Sequence, residues 1–261
     1  MQRLDLTLRT PAENLALDEA LLEWAEDEED FELEFLRLWE SPQPCIIVGR
    51  SSRVAQEVNL SECRQRQIPV VRRSSGGAAI VAGPGCLMYA LVLSYSLRPE
   101  LRDIRHAHAY VLGRLAEALQ SAAAHIGKVT HAGTSDLVIT GCGFDDSQSE
   151  IRNPKSEIRK FSGNSLRAKR RHLLYHGTLL YDFDLTLVES CLEMPSRQPD
   201  YRTSRAHRDF VTNLPLTRRT LTDAVDNAWP TVEELPQWPA ERVAELVRER
   251  FGRDSWNLEF G

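Results

Sequence analysis

The chain is poor in the residues that build covalent or metal-bound scaffolds. Its 261 residues include five cysteines, an odd number, at positions 45, 63, 86, 142 and 191, with no Cys-x-x-Cys pair. Disulfide frameworks and structural zinc sites need paired spacings, so neither is expected and the thiols read as small buried hydrophobes. No apolar run approaches the roughly 18 to 20 residues of a membrane span. The opening Met1-Gln2-Arg3-Leu4 lacks the basic-then-apolar order of a secretory leader. The expectation is a cytoplasmic protein with no membrane role. Basic charge is also short: 32 Lys and Arg against 38 Asp and Glu leave a net charge of -6, which argues against general nucleic-acid binding. The P-loop, G-x-G-x-x-G and G-x-S-x-G patterns are missing. His106 and His108, an i, i+2 pair, cannot share a helical face, so no metal constellation is read.

What is present is ordinary for a globular chain, with 42% apolar and 27% charged residues. Nothing marks a boundary, so 1–261 reads as a single domain. The charge is unevenly placed. Residues 18–34 carry ten acids and no base, and residues 150–172 carry eight Lys or Arg against two acids. The acidic stretch reads as a solvated helix face and loop, and the basic one as a surface for an anion or an acidic partner.

Thr10-Pro11-Ala12-Glu13 has capping-box spacing with proline at the first helical position, predicting a helix to about residue 26. Alternation predicts strands at 33–39, 45–48, 69–73, 128–131, 136–140, 160–167 and 172–181, and helices at 60–67, 103–126, 184–192, 216–228 and 239–251. Residues 78–81 and 87–94, split by Gly83-Pro84-Gly85, read as a hairpin-like pair. A nearly duplicated unit, Ser149-Glu-Ile-Arg-Asn-Pro-Lys and then Ser156-Glu-Ile-Arg-Lys, makes 142–158 a polar insertion at a hairpin tip. The class is α+β, a mixed and mostly antiparallel sheet flanked by helices.

Two segments carry candidate chemistry. In Arg72-Arg73-Ser74-Ser75-Gly76-Gly77-Ala78 a strand delivers two arginines into a glycine turn. Glycines let backbone N–H groups approach a ligand, and arginines pair with phosphate or carboxylate; a plain tight turn with surface arginines fits equally well. In Lys160-Phe161-Ser162-Gly163-Asn164, Lys160 and Ser162 fall on one face of a regular strand. Lys160 could neutralise a developing charge or guard a sheet edge. His176 ahead of Gly177-Thr178 fits a ligand contact or a turn.

Taken in order, these segments resemble the lipoate–protein ligase A family. The likeness runs from about residue 10 to residue 214. It rests on Asn14 to Leu22, Trp39 to Pro44, Val48-Gly49-Arg50, Glu57-Val58-Asn59, Arg72-Arg73-x-Ser75-Gly76-Gly77, Gly85-x-Leu87-x-Tyr89, Ser135-Asp136-Leu137-Val138, Lys160-x-Ser162-Gly163, His176-Gly177-Thr178-Leu179-Leu180, Ser204-Arg205 and Val211-Thr212-Asn213-Leu214. Ala78, Ala82 and Cys86 stand where the family carries a glycine, a histidine and an asparagine. The resemblance implies a biotin/lipoyl ligase-like, class II synthetase-like fold and ATP-dependent activation of lipoate or octanoate as an acyl-adenylate. The acyl group would then pass to a lysine of a lipoyl carrier domain, such as a 2-oxoacid dehydrogenase acyltransferase subunit or a glycine cleavage H protein.

On that likeness Lys160 is the catalytic residue. Arg72, Arg73, Ser75, Gly76, Gly77, Ala78, His176, Gly177 and Thr178 would hold the acyl substrate in a tunnel beneath the 72–77 loop. Gly85, Asp136, Ser162, Gly163 and Asn164 would meet the nucleotide, with Asp136 also a Mg2+ contact. The chain leaves no room for the extra C-terminal domain of some ligases, so adenylation could call on a separate accessory subunit. The rival readings are an octanoyl or lipoyl transferase that uses no ATP and a non-catalytic lipoate-binding relative. The related cysteine-dependent transferases carry a thiol just ahead of the strand at 136–140. Residues 126–141 contain none here, which leaves Cys86 as the substitute to weigh.

Overall fold

The architecture follows from strands whose two faces are both apolar. In the computed structural model, which describes residues 1–141, 158–195 and 198–259, eleven strands form two sheets. They are β1 (Gln2–Asp5), β2 (Phe35–Trp39), β3 (Cys45–Val48), β4 (Val70–Arg72), β5 (Ile80–Ala82), β6 (Cys86–Ser94), β7 (Lys128–Ala132), β8 (Asp136–Thr140), β9 (Arg159–Ala168), β10 (His172–Leu180) and β11 (Glu233–Glu234). The large sheet runs β11-β1-β2-β6-β10-β9-β8-β7 and the small one β4-β3-β5. Pairs β11/β1, β1/β2 and β3/β4 are parallel and the others antiparallel. The expected mixed sheet is present.

Strand β6 shows why the layers form. Leu87, Tyr89, Leu91 and Leu93 alternate with Met88, Ala90 and Val92, and every one is buried. The first set packs with residues of α4 (Ile104–Ala122) and α7 (Arg218–Ala228). The second packs with α1 (Pro11–Asp27) and the small sheet. Helix α1 begins where predicted: the Thr10 side chain accepts from the Glu13 N–H and the Glu13 carboxylate accepts from the Thr10 N–H. Short helices α2 (Val54–Glu57), α3 (Leu60–Gln65), α5 (Thr186–Cys191) and α6 (His207–Phe210) fill the connections, and α8 (Ala240–Leu246) and α9 (Asp254–Asn257) return along α1 and β4.

Three expectations change. The segments at 78–81 and 87–94 are not a hairpin: β5 pairs with β3, and β6 with β2 and β10. Their link crosses between layers and is pinned at Gly85, which has φ +84 and a backbone so close to Asp182 that an added Cβ would lie 2.1 Å from its carbonyl carbon. Strands β1 and β11 were not anticipated; runs of four and two residues give too little alternation to read.

The third change concerns charge. The acidic stretch is not simply a solvated face, because Asp18, Glu19 and Glu34 are buried and paired with Arg37, Arg167 and Arg98. The end of the basic stretch, from Arg167 to His172, is what they and their neighbours hold. Lys169 Nζ lies 3.7 Å from Glu23, and the Glu26 carboxylate accepts the backbone N–H groups of Arg170, Arg171 and His172. The two charged segments meet each other within the chain, so this part of the basic stretch is spent internally. The expected insertion at 142–158 lies, but for Ile158, outside the described residues.

Candidate active site

Lys160 enters from β9, opposite β8, where the pairing slips: Leu137 faces Ser162 but Val138 faces Lys160. This irregularity ends the alternation expected over 160–164. Ser162 turns to Asn164, whose Nδ2 donates to Ser162 Oγ at 3.0 Å and whose Oδ1 accepts from Tyr89 Oη at 2.6 Å. Lys160 instead places Nζ 2.7 Å from Asp136 Oδ1 and over Gly163, where a Cβ would come within 3.0 Å of it. Asp136 Oδ2 accepts from the Tyr201 hydroxyl at 2.6 Å, and burial together with that carboxylate pushes the hydroxyl pKa far up.

On β10, His176 and Thr178 turn toward the glycine loop, while Gly177 lies against Asn164. A Cβ on Gly177 would stand 1.7 Å from Asn164 Oδ1, so this position has no room for a side chain. Thr178 Oγ1 accepts from Gly163 N at 3.2 Å, tying β9 to β10 beside Lys160.

The two arginines of the loop part ways. Arg72 is fully buried, with Nη1 donating to the carbonyls of Gly49, Arg50 and Ser52 at 2.7, 3.1 and 2.8 Å and Nε to that of Trp256 at 2.8 Å. It braces the loop from below and is not among the residues lining the two cavities beside Lys160. Arg73 lies on the cavity wall, its donors on the carbonyls of Ile47, Gly76 and Ala78 and on Ser75 Oγ. Burial pulls its pKa down to about 10, with Glu57 opposing, so it stays cationic at neutral pH.

Ser75 Oγ lies 2.6 Å from His176 Nε2, and His176 Nδ1 faces Asp18 Oδ2 at 3.7 Å. Arg73 Nε also donates to Ser75 Oγ, so this hydroxyl joins the loop to β10. Asp18 in turn is held by Arg37. Ser75 and Gly76 thus serve the loop's own bonding, and Gly85 serves the layer crossing; none of the three reaches the cavity walls.

Two adjoining cavities open here. The wider, about 370 Å³, runs from Leu15, Ile47 and Met88 under Gly77 past His176 to Asp136 and Asn164. The narrower, about 130 Å³, is walled by apolar residues including Val81, Phe161, Leu180 and Val211. Lys160, Gly163, Thr178 and Ala78 border both. So does Arg202, which the sequence reading passed over because the motif match there fell on Ser204-Arg205 and not on residue 202. Among the described residues, no group of three or more His, Cys, Asp or Glu could hold a metal ion, and no helix is long and apolar enough to cross a membrane.

A family model described as the lipoyl protein ligase A/B catalytic domain matches residues 10–228. The chain is similar to octanoyltransferase LipM of Brevibacillus brevis, 24% identical over 268 residues and covering 95% of each protein. It is also 24% identical over 207 residues to lipoate-protein ligase LplJ of Bacillus subtilis, covering 79% of this chain and 54% of that one. Among solved structures, lipoate-protein ligase A bound with ATP superposes with a TM-score of 0.75 at 18% identity, over 100% of this chain and 99% of that chain; at that identity the likeness establishes the fold.

Proposed function

The chain belongs to the lipoyl protein ligase A/B catalytic family, and on that premise we propose that it activates lipoate or octanoate with ATP and passes the acyl group to a lysine of a lipoyl carrier domain. The observation that carries this reading is the placing of Lys160 where the two cavities meet. The inner end of the wider cavity, among Leu15, Ile47 and Met88, suits an eight-carbon tail, and the narrower apolar slot suits a nucleotide base. A carboxyl group and an α-phosphate reaching inward from the two sides converge on the Lys160 ammonium.

In the first step a carboxylate oxygen attacks the α-phosphorus and pyrophosphate leaves. In the second the carrier's lysine amine attacks the mixed anhydride and AMP leaves. Lys160 would orient the carboxylate and offset charge in both steps, and the N–H groups at Gly77 and Ala78 would hold oxygens. Magnesium neutralises phosphate charge and keeps most of its ligands from phosphate and water. Asp136 is the carboxylate of the site suited to meet it, once exchanged from Lys160 and Tyr201.

The likeness to octanoyltransferases favours one second reading, acyl transfer without ATP. It calls for a thiol nucleophile. Among the described residues Cys45, Cys63, Cys86 and Cys191 are buried, and burial pushes the Cys86 thiol far up, its Sγ lying 3.9 Å from Met88 Sδ. Such thiols are inert, so none of these four is suited to carry the transfer; Cys142 lies outside the described residues.

The deciding experiment incubates the protein with a lipoyl domain, lipoate and magnesium, with and without ATP, and separately with octanoyl acyl carrier protein. A lipoyl adduct on the carrier's mass only with ATP is expected. Octanoylation from the thioester without ATP would overturn the ligase reading.

A further inference from the structure

Arg202, 4% exposed, is a buried cation with no carboxylate in ion-pair contact among the described residues. Its Nε donates to the Arg205 carbonyl at 3.1 Å, and its Nη2 lies 3.3 Å from Met194 Sδ and 3.4 Å from His207 Nδ1. The guanidinium carbon stands 4.6 Å from the centre of the Phe210 ring. No described hydrogen bond uses Nη1, and the side chain borders both cavities.

Buried charges are normally paired, because leaving one unpaired forfeits its hydration with nothing in return. Lys160 obeys the rule through Asp136. Arg202 has no such ion pair among the described residues, and the repulsion from neighbouring Arg205 outranks the more distant attraction of Asp136. Among the described residues, Lys160 and Arg202 are the only Lys or Arg side chains that border both cavities. An anion spanning the junction therefore meets a lysine point charge and an arginine fork together, the second able to take two oxygens of one phosphate.

We propose that Arg202 is a second cationic catalytic residue, contacting the α-phosphate of the nucleotide and of the acyl-adenylate where the two cavities join. This rests on the ligase reading above and deepens it. While the carboxylate attacks and pyrophosphate departs, Arg202 supplies the charge that Lys160, shared between carboxylate and phosphate, cannot supply alone.

The test uses the full chain with Arg202→Ala and Arg202→Lys. Lipoate- and magnesium-dependent ATP–pyrophosphate exchange is measured beside the binding of lipoate alone and of AMP alone. Removing one preorganised donor of this kind costs on the order of 100-fold in rate. The expected result is that loss in Arg202→Ala, with partial activity in Arg202→Lys, lipoate affinity within about threefold of wild type, and AMP affinity weakened about tenfold. Added guanidinium ion should restore part of the exchange in Arg202→Ala, which no purely structural role would allow. Exchange in Arg202→Ala within about threefold of wild type overturns the proposal, as does a parallel loss of lipoate binding that guanidinium does not rescue. If wild type itself shows no exchange, the ligase reading fails on its own, and AMP binding decides the Arg202 contact: equal affinity in wild type and Arg202→Ala refutes it.

Discussion

Lys160 Nζ and Asp136 Oδ1 stand 2.7 Å apart at the junction of the two cavities, and Tyr201 caps the other carboxylate oxygen. The ion pair fixes the ammonium without burying it, since 27% of the lysine side chain remains exposed. Lys160→Gln should therefore leave the fold intact and lower pyrophosphate exchange by about 100- to 1,000-fold. Lys160→Arg should not rescue it, because a planar fork cannot take the place of a compact ammonium folded over Gly163. Near-normal exchange in Lys160→Gln would remove Lys160 from the chemistry.

Asn257 offers a test of how the loop is braced. Its Oδ1 accepts the backbone N–H of Arg72 at 2.9 Å, its Nδ2 donates to the Phe251 carbonyl at 2.9 Å, and the side chain is buried. Asn257→Ala leaves a buried N–H and a buried carbonyl without partners, at a cost of about 1–3 kcal/mol each. The expected readout is a lower urea midpoint together with a raised KM for lipoate, since Arg72 supports the loop it would loosen. An unchanged midpoint would mean that α9 does not brace β4 in solution.

Glu19 predicts a pH dependence. Burial alone would raise its pKa, but Arg167 and Arg250 outweigh it and hold the carboxylate below its ordinary 4.5. The unfolded chain therefore binds the proton more readily. The contribution is present above 4.5 and fades as pH falls through the lower folded value. Glu19→Gln should be less stable than wild type at neutral pH, with the two urea midpoints converging as the solution is acidified between about pH 5 and pH 3. A constant gap across that range would contradict the assignment.

These examples also show what a linear reading can and cannot reach. Lys160 and the 72–78 loop were legible because each is a short contiguous motif, and the layered sheet was legible because β6 alternates cleanly between two apolar sets. The different surroundings of Arg72 and Arg73 were not legible, because only the return of Trp256 and Asn257 alongside β4 shows which guanidinium is bonded to backbone away from the cavity. The burial of Asp18 and Glu19 was illegible for a related reason. A run of carboxylates looks solvated until the arginines that neutralise them, at 37, 167 and 250, are brought alongside. Arg202 escaped notice because its significance, a place on both cavity walls with no ion pair among the described residues, is a property of space and not of spacing.

Gly177 should tolerate no side chain. Gly177→Ala drives a methyl to within 1.7 Å of Asn164 Oδ1 and 3.0 Å of Tyr89 Cε1, so Asn164 must swing away and release the Tyr89 hydroxyl. Leaving that buried hydroxyl unpaired costs about 1–3 kcal/mol before any strain is counted. Tyr89→Phe in the Gly177→Ala background removes the orphaned hydroxyl and should recover part of the lost stability. If Gly177→Ala matches wild type in urea, the contact between β9 and β10 is looser than these distances allow.

Hydrogen bonds from Arg73 to Ser75 and between Ser75 and His176 tie the loop to β10, with Asp18 of α1 standing 3.7 Å beyond the ring. Ser75→Ala removes one end of the 2.6 Å bond and His176→Phe the other, the latter keeping much of the ring's bulk on the loop side of β10. If the bond holds the loop, each single variant should lose stability and the double variant little more than the worse single. Directly bonded buried residues typically show a coupling of about 0.5–3 kcal/mol. Strict additivity would mean that the two side chains touch without restraining each other. The same cycle read in lipoate KM separates the roles further: coupling in KM with kcat unchanged assigns His176 to shaping the loop, whereas a coupled fall in kcat at constant KM would draw it into the chemistry beside Lys160.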